Sequence, residues 1–323
     1  MNYLFFDIEC ASVFKTTAKI CAFGYCLTDE HFNILEKEDI LINPQGGFHL
    51  TDRKGTQGLV LPYEYAKFKS YPTFPKLADR IYGLLQDENT LVAGHATMND
   101  VKYLNLESKR FSLPPFRFDF ADTQFIYMNR VGIFNRQFAL GTIAEALGVE
   151  FTPHRAADDA YATMRVAEAM CKEEGLSFSE LLKKYGITLG RIENYEVRQS
   201  TSVGYQNHVK EAQARKERRE KARSKFHEFA EKNRRRRNKN GGYRTKTVCF
   251  SRSVEEGEDA KALVLAAYAA GFSYIYRPEE SHYYISAEGE SGQRLNAAAS
   301  RGACILTPEE FKLLLAQEQP SGV

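Results

Sequence analysis

With 323 residues, of which 43% are hydrophobic and 27% charged, the chain is long enough for one large or two ordinary globular domains. Its longest apolar run, Ala262–Phe272, falls short of the roughly 20 residues of a membrane span, and its first residues lack the basic region of a signal peptide. Its six cysteines show no paired spacing. We therefore expect a cytoplasmic protein with free thiols and no membrane partner. The net charge of +2 conceals a segment, residues 209–246, with 16 Lys and Arg against 5 Glu, which predicts a polyanionic partner.

The first part of the chain, residues 1–190, alternates strand-like and helix-like patterns. Three consecutive stretches rich in Ile, Phe and Leu predict strands, and short strands alternating with helices follow. The predicted strands are 3–8, 18–27, 32–42, 91–93 and 117–120, and the predicted helices are 76–86, 98–106, 137–147 and 158–172. This order predicts an α/β domain with a mixed sheet covered by helices.

A basic segment separates this part from a second compact pattern. Between residues 187 and 207 the periodicity dissolves into polar residues, and the basic run that follows is rich in helix formers. Its few apolar residues form no stripe, so we expect a helical linker over 191–245 that packs on no core. Residues 246–318 follow the order β-α-β-β-α-β-α and predict a small second domain. Its expected strands are 247–250, 273–276, 283–286 and 303–306, and its expected helices are 259–270, 293–301 and 308–316.

Two acids, Asp7 and Glu9, interrupt the first predicted strand. Because strand side chains alternate, both carboxylates lie on one face, about 6.6 Å apart along the strand. Two like charges inside a sheet are unfavourable unless a cation or a charged partner neutralises them. The alternative is an edge strand whose acids face water.

Two later segments carry further candidates. Asp100 begins a predicted helix after a short strand, and His154 precedes Asp158 and Asp159 at the start of another helix. Each segment also has a purely structural interpretation. Thr97-x-x-Asp100 fits a helix cap, acids stabilise helix N-termini, and His154 would then be a surface loop residue.

Together, D-x-E in the first strand, Asp100 after a short strand and H-x-A-x-D-D before a late helix resemble the DEDDh (DnaQ-like) 3′→5′ exonucleases in order and spacing. This group includes the proofreading exonucleases of bacterial replicases. FADTQ around Asp122, FALGTIAEALGV at 138–149 and FSELLKKYGITLGRI are similar to further segments of the family, so the resemblance extends over residues 1–190. It implies an RNase H-like fold.

The resemblance also implies roles for five residues. Asp7, Glu9, Asp100 and Asp159 would bind two divalent cations, Mg²⁺ or Mn²⁺, and His154 would be the general base, whereas the resemblance assigns no role to Asp158. These residue types suit that chemistry, because hard cations prefer carboxylate oxygens and a histidine titrates near neutral pH. The expected reaction releases nucleoside 5′-monophosphates from a 3′ end.

Two positions depart from the family's pattern. Members commonly have threonines directly after the glutamate, where this chain has Cys10 and Ala11. Members often have a His-Asn pair at the start of the Asp100 motif, where this chain has His95 and Ala96, and we interpret His95 as structural.

The C-terminal part resembles a BRCT domain over SGQRLNAAASRGACILTPEEFKLLL, with Phe311 at the place of the tryptophan common in the last helix. Many such domains bind phosphopeptides through a hydroxyl after the first strand and a lysine in the second helix. Ser251 supplies the hydroxyl here, but no lysine is present in the aligned stretch Asn296–Ala299. DNA-end binding or protein docking are therefore the alternatives.

The basic segment ends in four consecutive arginines, Arg234, Arg235, Arg236 and Arg237, without acids nearby in the sequence. We expect them to contact nucleic-acid phosphates.

The leading hypothesis is a metal-dependent 3′→5′ exonuclease that acts on single-stranded or frayed DNA 3′ ends in repair or replication. One alternative is an exoribonuclease, because the catalytic set is shared. The other is a non-catalytic adaptor that only binds nucleic acid. The presence of all five site positions favours an enzyme.

Overall fold

The computed structural model describes residues 1–49, 60–150, 152 and 154–317. The chain divides into two compact units, Met1–Lys210 and Glu211–Val323, which are considered separately. Among the residues that the structure describes, no helix is both long enough and apolar enough to span a bilayer.

The first unit is built on a seven-stranded mixed sheet in the order β3-β2-β1-β4-β5-β7-β8. Its strands are β1 (Asn2–Phe14), β2 (Thr17–Thr28), β3 (Ile34–Leu41), β4 (Thr90–Gly94), β5 (Phe118–Asp122), β7 (Gly190–Glu193) and β8 (Glu196–Arg198), and a separate pair is formed by β6 (Ile187–Thr188) and β9 (Thr201–Ser202). Strands β1, β4 and β5 are parallel, whereas β2, β3, β7 and β8 pair antiparallel with their neighbours.

Helices cover this sheet and bury the side chains on both of its faces. They are α1 (Phe74–Leu85), α2 (Met98–Arg110), α3 (Thr123–Val131), α4 (Leu140–Ala146), α5 (Ala156–Glu174) and α6 (Phe178–Lys184). On β1, Tyr3 and Phe5 pack with α3, α5 and α6, and Leu4 and Phe6 pack with α1 and α2. The expected mixed sheet covered by helices is thereby confirmed. Strand β1 pairs on both sides over Asn2–Phe5, so it is an interior strand there, whereas at Asp7 and Glu9 it pairs with β2 alone and the edge-strand alternative describes these two positions.

The polar stretch after residue 187 shows no periodicity, and from residue 191 it was expected to belong to a helical linker, but it forms strands as far as Ser202. It forms the hairpin β7–β8, which completes the sheet. Asn194 and Tyr195 both have left-handed φ values, 51° and 61°, as a two-residue type I′ turn requires. In this hairpin only Gly190 and Ile192 are buried, and the charged residues that alternate with them conceal the strand pattern.

The second unit contains a four-stranded parallel sheet in the order β11-β10-β12-β13. The strands are β10 (Thr247–Phe250), β11 (Ser273–Tyr274), β12 (Tyr283–Ile285) and β13 (Cys304–Leu306), and the helices are α8 (Arg252–Glu256), α9 (Ala260–Ala269), α10 (Gln293–Ser300) and α11 (Pro308–Ala316). These elements follow the order expected from the sequence, with α8 added after the first strand.

Most of the basic segment forms the helix α7 (Val203–Asn233), and its C-terminal half belongs to the core of the second unit. Phe226 and Ala230 are buried there, and the Phe226 ring stacks on Phe250 with 5.8 Å between centroids. The expectation that this segment packs on no core is therefore wrong. Two apolar residues four positions apart are enough to dock one turn of a helix, although they are too few to produce a visible stripe.

Candidate active site

Three carboxylates converge at one end of the large sheet. Asp7 and Glu9 lie on β1 and Asp159 lies in the first turn of α5, and each offers an oxygen within 4.8 Å of the other two. This convergence joins residues 150 positions apart in the sequence. It brings together three of the four acids that the resemblance pairs with cations.

The sheet places these acids where solvent reaches them. Strand β1 pairs with β4 only over Asn2–Phe5, so Asp7 and Glu9 lie beyond the end of β4 and pair on one side alone, with Gly24 and Ala22 of β2. By alternation they continue the face of Tyr3 and Phe5, against which α5 packs. Both side chains are partly exposed.

The carboxylates shift one another's protonation. Burial, and then the charge of Asp159, raises the pKa of Asp7 to about 8. Burial, and then the charge of Asp7, raises the pKa of Glu9 to about 9. Burial also raises the pKa of Asp159 to about 6, against a hydrogen bond from the His154 amide that lowers it. A bound cation would reverse these shifts, because it stabilises the ionised form of every neighbouring carboxylate.

Asp100 lies in the first turn of α2 and is buried. Burial and the charges of Asp7 and Glu9 raise its pKa well above the usual range. It is thus an electrostatic neighbour of the cluster, although its oxygens are not among those within 4.8 Å. The capping alternative for this segment is wrong, because the Thr97 side chain does not cap α2 and its hydroxyl instead donates to the Ala121 carbonyl.

The turn before α2 is held by Asp122, whose function the sequence did not reveal. Its carboxylate accepts hydrogen bonds from the backbone amides of Ala96 (2.9 Å), Thr97 (3.1 Å) and Gln124 (3.0 Å). Ala96 has a left-handed φ of 52°, an unfavourable conformation for alanine. Asp122 therefore fixes the turn from which Asp100 is presented.

His154 stands beside the cluster at the start of α5. Its backbone amide donates to Asp159 Oδ2 at 3.0 Å, its φ is 75°, and its side chain is exposed. The neighbouring Asp158 pairs with Lys37 of β3 at 2.8 Å. Of the two consecutive aspartates, Asp159 therefore faces the carboxylate cluster and Asp158 faces Lys37.

The residues that depart from the family's pattern face the interior. Cys10 and Ala11 are buried, and the pairing of β1 with β2 is irregular at this point, as in a β-bulge. His95 lies between the Thr123 hydroxyl (3.0 Å) and the Phe138 carbonyl (2.9 Å), and burial lowers its pKa to about 4. These contacts agree with a structural role for His95.

One further carboxylate near the site was not recognised in the sequence. Asp39 of β3 contributes a charge that helps to raise the pKa values of Asp7, Glu9 and Asp159. Its strand reads ILEKEDIL, in which charged residues occupy both faces. Nothing in that pattern distinguishes Asp39 from its neighbours.

The four consecutive arginines are not equivalent, and one is paired with an acid, contrary to the expectation. Arg234 pairs with Glu231, and the Arg237 guanidinium donates to the carbonyls of Gly271 and Arg244. Arg235 and Arg236 are exposed, and within the described part of the chain neither has a hydrogen bond or ion pair. Two cationic side chains thus remain for an anionic partner.

The donor set of the cluster fits divalent cations. It consists of carboxylate oxygens, the ligands that Mg²⁺ and Mn²⁺ prefer. Among the described residues, the groups that shift the pKa values of Asp7 and Glu9 are other carboxylates, and both pKa values are raised.

Comparison with known proteins gave one family and a group of solved structures. The profile of the exonuclease family RNase_T matches residues 4–167. Similar structures include a 3′-exonuclease in 3′-end-specific recognition of a histone mRNA stem-loop (15% identity, TM-score 0.48, covering 62% of this chain and 71% of that one). They also include the nuclease domain of 3′hExo, described as a DEDDh family member bound to rAMP (18%, 0.44, 53% and 91%).

A third similar structure is the zinc-bound Escherichia coli exonuclease I complex with single-stranded DNA (18% identity, TM-score 0.45, covering 57% of this chain and 42% of that one). The chain thus spans less than half the length of this exonuclease I. Among curated proteins no sequence matches.

Proposed function

Because the chain belongs to the RNase_T exonuclease family, we propose that it is a metal-dependent 3′→5′ exonuclease that releases nucleoside 5′-monophosphates from DNA 3′ ends. The observation that carries this proposal is the convergence of Asp7, Glu9 and Asp159, with Asp100 as their buried neighbour. Partly exposed acids whose charged neighbours, in the described part of the chain, are other acids form a site suited to cations.

In this proposal Asp7, Glu9, Asp100 and Asp159 hold two divalent cations, Mg²⁺ or Mn²⁺. When bound, such ions activate water and stabilise the leaving oxygen of a phosphodiester. The exposed imidazole of His154 accepts the proton of the attacking water at a ring nitrogen. Asp159 keeps the His154 backbone at the cluster through its hydrogen bond to the amide.

The choice of DNA over RNA rests on the second unit, for which we keep the proposal of a BRCT-like domain over residues 246–318. Its parallel sheet and element order support that proposal. A phosphopeptide role is disfavoured. Ser251 caps α8 and contacts the Ser253 hydroxyl, which in turn donates to Glu290 at 2.6 Å. The negative charge of Glu290 beside these hydroxyls would repel a phosphate, so we propose docking of a DNA end or a protein.

The basic segment, residues 209–246, is proposed to bind the nucleic-acid backbone. The N-terminal half of α7 is exposed and rich in Lys and Arg, and α7 is followed by Arg235 and Arg236, which have no hydrogen bond or ion pair among the described residues. Such cationic surfaces bind phosphates without sequence preference.

A single cleavage assay tests the proposal and its alternatives. Single-stranded DNA, duplex DNA and RNA of matched sequence, labelled at either end, are incubated with Mg²⁺, Mn²⁺ or EDTA. We expect mononucleotide release from DNA 3′ ends with cations only, and its loss in Asp7→Asn. The control is Asp79→Asn, which changes an exposed aspartate on α1. Preference for RNA would establish the exoribonuclease, and binding without cleavage would establish the adaptor.

A further inference from the structure

Asp39 and Asp7 share a row across three adjacent strands. Asp7 pairs with Gly24 of β2, and Gly24 pairs with Asp39 of β3, so the two carboxylates lie on the same face of the sheet with a glycine between them. The first residues of α5 occupy the space above that glycine. Asp39 therefore faces the start of α5 from the side opposite to the carboxylate cluster. Its side chain is only 7% exposed.

Three contacts join Asp39 to the two residues that follow His154. Arg155 Nε donates to Asp39 Oδ2 at 3.0 Å. The Tyr63 hydroxyl donates to the same oxygen at 3.0 Å and accepts from the backbone amide of Ala156 at 3.0 Å. Burial and the charge of Asp39 raise the pKa of Tyr63, which keeps this hydroxyl protonated as a donor.

This arrangement satisfies an amide that the helix itself leaves free. Ala156 is the first residue of α5, and the first N–H groups of a helix have no partner within it. The side chain of the N-cap residue, Arg155, does not accept a hydrogen bond from these N–H groups. The Tyr63 hydroxyl supplies the cap from a distant segment, and Asp39 orients the hydroxyl by accepting a hydrogen bond from it.

We propose that Asp39 and Tyr63 form a clamp of positioning residues that holds the first turn of α5, and with it His154 and Asp159, against the carboxylate cluster. The catalytic part of this proposal rests on the proposed function. His154 is in a left-handed conformation, which persists only where the neighbouring chain is held in place. Hydrogen bonds to Arg155 and Ala156 on one side and to Asp159 on the other provide that hold.

The test uses the full chain and the variant Tyr63→Phe, which keeps the ring in its contact with Phe68 and removes both hydrogen bonds. The matched control is Tyr71→Phe, whose ring packs on the same Phe68 and whose hydroxyl makes no hydrogen bond to the α5 turn among the described residues. Asp39→Asn is a second variant, which keeps an acceptor for Tyr63 and removes the ion pair with Arg155.

Two measurements are made on each variant. Hydrogen–deuterium exchange of peptides covering 154–160 should be faster in Tyr63→Phe and unchanged in Tyr71→Phe. With a 3′-labelled oligonucleotide, kcat of Tyr63→Phe should fall about five- to tenfold, as loss of one or two hydrogen bonds implies, with KM within twofold. The melting temperature should fall by only about 2–5 °C, because the Ala156 amide loses its acceptor. Asp39→Asn should likewise lower kcat and leave KM within twofold, with a smaller fall in kcat.

Unchanged exchange at 154–160 in Tyr63→Phe would overturn the clamp, as would unchanged kcat in an active enzyme. If the chain proves inactive on every nucleic acid, the proposed function fails, whereas faster exchange in Tyr63→Phe would still establish the clamp on α5.

Discussion

Gly24 lies directly against the backbone of Ala156, so that a Cβ atom at position 24 would stand 2.0 Å from the Ala156 carbonyl carbon and 2.1 Å from the Ala157 nitrogen. Backbone atoms cannot move aside as the end of a side chain can. Because residue 24 of β2 is a glycine without a side chain, α5 can approach the sheet closely enough to bring Asp159 to Asp7.

Gly24→Ala should push the start of α5 away from the sheet. We expect a loss of about 1–3 kcal/mol in the free energy of unfolding, the usual cost of overpacking, and a fall in nuclease activity of at least tenfold, because Asp159 leaves the cluster. Urea denaturation and the cleavage assay measure the two effects. Gly83→Ala on α1 is the control, since a Cβ there meets nothing within 4 Å. Wild-type activity in Gly24→Ala would contradict the described packing.

Divalent cations should stabilise the fold. A ligand that binds only the native state at 100 times its Kd adds about 2.7 kcal/mol, which corresponds to a rise of roughly 5–10 °C in melting temperature for a unit of this size. We expect this rise with Mg²⁺ or Mn²⁺ in the wild type and in Asp79→Asn, and a smaller rise in Asp7→Asn. Equal melting temperatures in EDTA and in Mn²⁺ would count against a cation site.

The pH dependence of stability follows from the raised pKa values of Asp7, about 8, and Glu9, about 9. These pKa values exceed those of the same carboxyl groups in the unfolded chain. At pH values between the unfolded and the folded pKa, the folded state therefore binds more protons, and stability falls as pH rises. In EDTA, the free energy of unfolding should therefore decrease between pH 5 and pH 9. Denaturation at a series of pH values should give a shallower decrease for the double variant Asp7→Asn, Glu9→Gln. An identical slope in that variant would assign the effect elsewhere.

Asp122→Ala should disturb the site without touching a carboxylate of the cluster. Three backbone amides, those of Ala96, Thr97 and Gln124, would lose their acceptor. We expect a loss of about 2–3 kcal/mol in stability and lower activity, because the turn before Asp100 is released. Asp119→Ala, on the same strand but exposed and paired with Arg191, should cost less than about 1 kcal/mol. Equal effects in both variants would mean that Asp122 does not hold the turn.

Replacing both Arg235 and Arg236 by alanine should weaken binding to single-stranded DNA. Each phosphate that is no longer neutralised by a cationic side chain lowers the slope of log Kd against log salt by about 0.7 for single strands. Titrations at several salt concentrations should thus show a slope reduced by about 1.4 for two such phosphates. Arg277→Ala removes an exposed arginine that is already paired with Glu280, and it should leave the slope unchanged. A double variant with the wild-type slope would exclude these two side chains from the interface.

The elements with strong periodicity were predictable, and so was the convergence of Asp7, Glu9 and Asp159 that they produce. The strands β1, β2 and β3 and the helix α5 follow their hydrophobic patterns. The acids on β1 stood out because they interrupt a predicted strand, whereas Asp159 on α5 was singled out only by the resemblance to the exonucleases. The contribution of Asp39 was not predictable, because its contacts depend on Tyr63, which reaches it from a segment without regular periodicity. Phe226 was missed for a related reason, since one aromatic residue in a highly charged helix gives no stripe.

The left-handed backbone of His154 has a consequence for how this sequence can change through evolution. At a φ of 75° most side chains are strained, whereas glycine and asparagine rest there at little cost. A lineage that kept the fold but lost the chemistry would gain stability by replacing this histidine with either residue. If His154 is the proposed general base, we expect glycine or asparagine at this position in related sequences that have lost the activity.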